Sequence, residues 1–406
     1  MTTPKTGFHF RSHHSALRPL TLGFAGLLAL SGCGDSGDGT ETDTTAATTE
    51  TTGTTAGTTT ATTATTAATA TTTASTTDGG TTAGDPTETD SSSGGEMIEL
   101  ADLPEGWEDW PVVGITDRTD GGDSSTIRVV VGNQIAVEAA RSGNISPWPE
   151  GSILVDIIWA DGGNDFSADM VAPDTFSAVA VMEKDSARFD ATGGWGYNIF
   201  KGDSLDPAEA DAIANPDNDV DESTCYGCHN SRVPDQDFVF TEPLPLPSAD
   251  ELGAAEAHVN GLTLDEALLE WRFISVHHRL GNTQMRVVLG NQTAVDAARA
   301  GDTNPWPEGT VLADVVFAAS ADGLEDWPNM IAPQTLAAIA LMERDAATFP
   351  ATGEWGYGLW ANDNDVLVPG GADGVADDET TCFGCHAIFV GEVNDFVFTR
   401  PGPLPN

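Results

Sequence analysis

The chain repeats itself, and any fold it adopts must accommodate two copies of one unit. Trp110 and Arg118 recur as Trp271 and Arg279, and Arg128, Gly132 and Asn133 recur as Arg286, Gly290 and Asn291. The first set is offset by 161 and the second by 158, which a three-residue deletion in the second copy explains. Further on, Trp148-Pro149-Glu150-Gly151 returns as Trp306-Pro307-Glu308-Gly309. Ala191-Thr192-Gly193 with Trp195-Gly196-Tyr197 returns as Ala351-Thr352-Gly353 with Trp355-Gly356-Tyr357. Phe238-Val239-Phe240-Thr241 returns as Phe396-Val397-Phe398-Thr399. Only two units, each well over a hundred residues, make a pair of homologous domains and not a solenoid. We place them at 101–247 and 248–406, with the join in Pro243–Gly253, where proline and acidic residues accumulate.

Each copy has the same local grammar. Asn133 is a good N-cap for an alanine-rich helix over Gln134–Ser142 that stops at Gly143, and Asn291 to Gly301 repeats the design. The β-branched runs Ile127–Val131, Ser152–Trp159, Phe176–Met182 and Phe238–Thr241 predict strands, each with a counterpart in the second copy. Short strands joined by Gly and Pro turns predict a mainly β (α+β) fold: two tandem antiparallel-sheet domains with a few short helices.

Equivalent places in the two copies carry Cys225-Tyr226-Gly227-Cys228-His229 and Cys382-Phe383-Gly384-Cys385-His386. Two cysteines two residues apart, followed directly by histidine, are the attachment signature of c-type haem. Both thiols add to vinyl groups, and the histidine becomes an axial iron ligand. A CxxC also serves as a zinc half-site or a redox disulfide, but its doubling in a repeated, apparently exported chain favours haem. Each domain is therefore expected to hold one haem, on Cys225, Cys228 and His229 and on Cys382, Cys385 and His386.

Only one cysteine remains, Cys33, so no pair is left over for a structural disulfide. The residues before it read as an export signal, with Lys5, Arg11 and Arg18 ahead of an apolar run from Leu20 to Leu30. That run is too short for a good membrane span. Its end, Leu30-Ser31-Gly32-Cys33, resembles the bacterial lipoprotein box, which implies cleavage after residue 32 and a lipid anchor on Cys33; an ordinary cleaved signal peptide is the alternative. From 34 to about 95 the chain is nearly all Thr, Ala, Gly, Ser and Asp. With so little to bury, it reads as a disordered tether that would hold the domains about 45 Å from the membrane. The folded part is thus placed on the periplasmic or outer side of a bacterial membrane. Asp and Glu outnumber Lys and Arg by 63 to 16, for a net charge of −47. Such a surface repels nucleic acid and suits a basic redox partner. Acidic stretches precede both CxxCH strings, at 217–222 and 363–379, without EF-hand spacing; solvated loops that dock such a partner are the reading adopted.

These elements together resemble the cytochrome P460 family, which includes the cytochromes c-prime-beta. The resemblance rests on the arginine-led strand ending in Gly-Asn, the Ala-Ala-Arg helix, the Trp-Pro-x-Gly turn, the Met-Glu-Lys/Arg-Asp strand end, Ala-Thr-Gly-x-Trp-Gly-Tyr, CxxCH and Val-Phe-Thr. It covers nearly all of 107–405, twice. It implies a largely β fold and covalent haem whose iron has the CxxCH histidine on one side and an open or weakly filled position on the other. The family's hydroxylamine-oxidising members use a haem cross-linked to lysine, and this chain departs from that pattern. Its lysines are Lys5, Lys184 and Lys201, and the strand after the Trp-Pro-Glu-Gly turn, where the cross-linking lysine is expected, carries Asp156 and Asp314. Lys184, matched by Arg344, reads as an ordinary surface charge at a strand end.

The sixth iron position decides function, because a strong second ligand favours electron transfer and an open site admits small molecules. His258, His277 and His278 occur only in the second copy, His277 and His278 standing where Thr116 and Asp117 stand in the first, and read as surface or strand-end residues. Met182 and Met342 read as core, whereas Met170 and Met330, preceding Ala-Pro in expected loops, are the sharper sixth-ligand candidates. Asp156 and Asp314 interrupt apolar strands and either point to solvent or act in the haem pocket as proton acceptors. Arg128 and Arg286, or Arg118 and Arg279, are candidates for haem propionates. The expected function is binding or redox conversion of small nitrogen species, NO and conceivably hydroxylamine, at open-sided haems. The alternative is a six-coordinate dihaem electron carrier.

Overall fold

A computed structural model describes residues 100–119, 125–164, 166–208, 213, 222–320, 323, 329–370 and 381–405. The expected export signal, Cys33, the tether and most of the two acidic stretches lie outside the described residues. Among the described residues no helix is long and apolar enough to cross a membrane.

Period-two alternation sorts each β-branched run onto two faces. In β2 (Thr126–Gly132), Ile127, Val129 and Val131 turn to one side, and Arg128 and Val130 to the other. The strand pairs with β1 (Val112–Arg118) and β3 (Ile153–Asn164), which pairs with the long β4 (Ser167–Lys184); β4 pairs with β5 (Trp195–Lys201) and β5 with β6 (Asp206–Pro207). The second copy runs β7 (Arg272–Arg279), β8 (Gln284–Gly290), β9 (Val311–Ala319), β10 (Met330–Ile331), β11 (Pro333–Arg344), β12 (Trp355–Asp363) and β13 (Val366–Gly370). All described pairings are antiparallel. A mainly β fold with a few short helices is what the sequence predicts.

The repeats do not stand as separate sheets. Met170 and Val171 of β4 pair with Arg279 and His278 of β7, and Met330 and Ile331 of β10 pair with Arg118 and Asp117 of β1. These are the same positions in the two copies, paired reciprocally. Since β10 runs into β11 after one residue and β11 pairs with β9, the circuit β1-β2-β3-β4-β7-β8-β9-β11/β10 closes on β1. Its inner face is one apolar cluster drawn from both copies, including Val129, Ile157, Trp159, Val287, Val315 and Phe317. Two smaller clusters, one per copy, lie under the helices, and a third, of Val316, Ala338 and Leu359, lies on the second copy's outer face. Exposed ion pairs repeat the reciprocity: Arg141 to Glu270 at 2.9 Å and Arg299 to Asp109 at 2.8 Å.

Helix α1 (Gln134–Ser142) begins at Asn133, whose side chain accepts from the Ala136 amide, and ends at the left-handed Gly143; α4 (Gln292–Ala300) repeats this with Asn291 and Gly301. Two sequence expectations need correction. Phe238–Thr241 and its counterpart are not strands, because the Phe238 and Phe396 carbonyls bond to histidines instead of a ladder. Met170 and Met330 are not in loops; their backbones form the seam between copies. The join carries a short helix, α3 (Ala249–Ala254), started by a capping box between Ser248 and Glu251.

Because both copies wall one core, Phe317→Ala is expected to cost about 3–5 kcal/mol and to lower a single unfolding transition that reports on both repeats; two separated calorimetric transitions would contradict this. A second prediction concerns the seam. Burial, aided by nearby Asp117, pushes the Asp161 carboxyl up to about 7 from its ordinary 3.8. The folded state therefore binds more protons than the unfolded between about pH 4 and 7, so this residue makes stability fall as pH rises through that window. Asp161→Asn should flatten that slope in urea titrations at pH 5 and pH 7.5.

Candidate haem sites

The CxxCH strings lie on helices α2 (Cys225–Arg232) and α5 (Cys382–Phe389), opened by threonine caps. The Thr224 hydroxyl accepts from the Gly227 amide at 3.0 Å, and Thr381 accepts from Gly384 at 2.9 Å. A cap immediately before the first cysteine fixes the first turn, and a spacing of three puts both cysteines on one side of the helix. Cys225, Cys228 and Cys382 are free thiols, whereas Cys385 is disulfide-bonded, against the sequence expectation. Burial pushes the Cys225 thiol up to about 11 and raises Cys228 as well.

Each histidine is held by a backbone carbonyl. Nδ1 of His229 donates to the Phe238 carbonyl at 2.6 Å, and Nδ1 of His386 donates to that of Phe396 at 2.6 Å. With the proton on Nδ1, Nε2 carries the lone pair that a metal takes. Burial pulls both imidazoles down to about 4, so both are neutral, the ligating form. Tyr197 and Phe240 flank His229 with ring centroids 5.1 and 4.8 Å away; Tyr357 and Phe398 flank His386 at 4.9 and 4.7 Å.

The carbonyl that orients the histidine belongs to a strained turn. Asp237 and Phe238 are consecutive left-handed residues, with φ of 51° and 63°, and Asp395 and Phe396 match them at 50° and 60°. A bulky residue adopts this conformation only when its surroundings hold it there. The Asp237 carboxylate accepts from the Trp148 amide at 2.9 Å and from Lys184 Nζ at 2.8 Å; Asp395 accepts from the Trp306 amide at 2.8 Å and from Arg344 at 2.7 Å. Lys184 is thus not a surface charge: it is 5% exposed, and its ammonium lies over the Trp195 ring, as Arg344 lies over Trp355. The motif's glycines fit against the same turn, since a Cβ at Gly193 would come within 2.5 Å of the Phe238 ring, and one at Gly353 within 2.3 Å of Phe396.

The outer sheet face continues from each tyrosine. In the first copy, strand register and alternation place Tyr197, Met182, Asp156, Arg128 and Thr116 on it. In the second they place Tyr357, Met342, Asp314, Arg286 and His277. Arg128 bonds Asp156 at 3.0 Å, and Arg286 bonds Asp314 at 2.8 Å. Burial pushes the Asp156 carboxyl up against the pull of Arg128, although its side chain keeps 23% of its surface exposed. Oδ1 of Asp156 and of Asp314, and the hydroxyls of Tyr197 and Tyr357, are buried without hydrogen-bond partners. Orphaned polar atoms at matching places in both copies fit a polar, planar group bound against this face. His–carbonyl anchors, paired cysteines on one helix side and these orphans together fit haem.

The other candidates are dispersed. Met182 and Met342 pack with the outer clusters as core residues. Arg118 and Arg279 lie in the seam opposite Met330 and Met170. The three second-copy histidines are buried and not at the surface: His258 has both ring nitrogens within 3.0 Å of Asn260 and the Gly370 carbonyl, and His278 lies 2.5 Å from Asp117 of the first copy. Lys201 is exposed on the first copy's outer face where Ala361 stands in the second. What the sequence did not show is the Lys184–Asp237 pair, although the matched Lys/Arg and Asp at both copies were its visible trace.

Asp395→Asn or Asp237→Asn removes one partner of a largely buried ion pair, which should cost about 3 kcal/mol. It should also loosen the histidine, read as a lowered iron–histidine stretching frequency in resonance Raman spectra of the haem-loaded protein.

The model of the family Cytochrome P460 matches residues 104–241 and 268–399. No curated protein matches the chain. The two matched segments cover both repeats and end on the last residue of the Phe-Val-Phe-Thr strings that hold His229 and His386. The chain belongs to the cytochrome P460 family, and haem is its cofactor.

Proposed function

We propose that the chain is an exported cytochrome carrying two c-type haems, one per repeat, that binds small nitrogen species such as NO. Cys225 and Cys228 would hold the first haem by thioether bonds, each formed by adding S–H across a vinyl group, and Cys382 and Cys385 the second. His229 and His386 would supply Nε2 to iron. A reduced haem iron provides the π-donating centre that small diatomics need. The carbonyl of the strained turn keeps each imidazole aimed and burial keeps it neutral, while Tyr197 and Phe240, or Tyr357 and Phe398, pack its edges.

The observation that carries this reading is the doubled Nδ1–carbonyl anchor beside an outer face of small and apolar side chains. In the first copy that face offers Ile158, Ala178 and Ala180 between Tyr197 and the Arg128–Asp156 pair. The paired methionines Met170 and Met330, the sharper sixth-ligand candidates of the alternative reading, pair through their backbones at the seam, opposite Arg279 and Arg118. Aspartate in place of lysine in the strand after the Trp-Pro-Glu-Gly turn, at Asp156 and Asp314, favours gas binding over the family's cross-linked chemistry. The leader and Cys33 support export and a lipid anchor to a bacterial membrane, and the net charge of −47 suits a basic redox partner.

Mass spectrometry of protein matured in a host with c-haem machinery should show two haem additions, one lost in Cys228→Ser and the other in Cys385→Ser. CO added to the reduced protein should shift the Soret band. An unmodified mass would overturn the covalent assignment, and an unchanged Soret band on both haems would overturn the open-site reading in favour of six-coordinate electron transfer. Reduction of an artificial acceptor in the presence of hydroxylamine would extend the function to turnover.

A further inference from the structure

We propose that the two haem sites are chemically unlike and that His277 makes them so, presenting a hydrogen-bonding imidazole to the ligand of the second haem where Thr116 stands at the first. This rests on the open-site reading above. In β7, Val276 and His278 turn to the inner face, so Ser275 and His277 turn outward, onto the face that carries Tyr357 and Asp314. His277 lies directly opposite Arg286, as Thr116 lies opposite Arg128. Arg286 bonds Asp314 at 2.8 Å, and the Asp314 carboxylate is near enough to both His277 and His386 to favour their charged forms. The chain of groups from His386 to His277 therefore lies on one face of one sheet.

Packing alone does not account for this imidazole. It is 5% exposed, and burial holds it neutral, with one ring nitrogen available as a donor and the other as an acceptor. Ser275 Oγ lies 3.5 Å from its Nε2, which is long for a hydrogen bond. Arg286 is already engaged by Asp314 and by Gln284 at 2.9 Å. An imidazole held by one long hydrogen bond keeps donor and acceptor capacity that a bound polar ligand can take up. His278, its neighbour, is accounted for by Asp117, and His258 by Asn260 and Gly370. A second difference runs the same way: Gly114 in the first copy corresponds to Ser275 in the second, so the strand is more polar at the second site twice over.

Infrared spectroscopy of the reduced, haem-loaded protein under CO tests this, because the C–O stretch reports polar groups beside the bound ligand. Two bands of equal weight are expected, one per haem. His277→Leu should move one band onto the other, His277→Gln should keep it displaced because the amide still donates, and Thr116→His should displace the first haem's band. A single band in the parent protein, unchanged in His277→Leu while circular dichroism shows the fold intact, would overturn the inference and leave the open-site reading standing. One CO per chain, rising to two in His277→Leu, would overturn it too, by making His277 an iron ligand. No CO at either haem would sink the open-site reading and this inference together.

Discussion

The bond from a histidine Nδ1 to a backbone carbonyl is the interaction on which the rest of each site depends. Without it the imidazole tautomer is undefined and Nε2 has no fixed direction. The carbonyl is available only because Phe238 or Phe396 sits in a left-handed conformation that forbids a strand, and that conformation persists because an aspartate beside it is clamped by a tryptophan amide and a buried cation. Strain at the turn is thus stabilised by a buried ion pair at the end of β4 or β11, which ties the metal-ligating residue to the sheet. Lys184 and Arg344 differ as residues yet perform the same task, since the turn requires a buried cation and not a particular one.

The second constraint is the shared interior. Each copy contributes strands that would expose a full apolar face if the other were absent, and the circuit closes only through reciprocal pairings at the seam. The helices that carry the cysteines lie outside, over smaller clusters that belong to one copy each. Stability is therefore pooled while the sites are separate. A rigid common core fixes both outer faces, which suits sites that must hold a planar group against a sheet.

Much of this was legible beforehand. Asn133 and Gly143 bounded their helix to the residue, and the β-branched runs marked their strands, because capping and alternation are local. Phe238–Thr241 misled for the converse reason: its composition favours a strand, but a tertiary bond to His229 takes the carbonyl a ladder would need. Seam pairing at Met170 and Met330 was hidden because it joins each to a residue more than a hundred positions away, in the other copy. Lys184 was misread since a charged residue at a strand end is ordinarily solvated, and only the fold shows the aspartate and tryptophan that enclose it. The matched Gly193 and Gly353 stood out in the sequence, yet the ring each one must clear did not.

The reciprocity of the seam has a consequence for how such a molecule can change. Two identical single-repeat chains meeting across these strand pairs would be forced to carry identical residues on both sides, so an aspartate facing an aspartate where Asp117 now faces His278 would bury like charges. Joined in one polypeptide, the halves are released from that symmetry. One half can take the acid and the other the base, and one outer face can acquire an imidazole that its twin never receives.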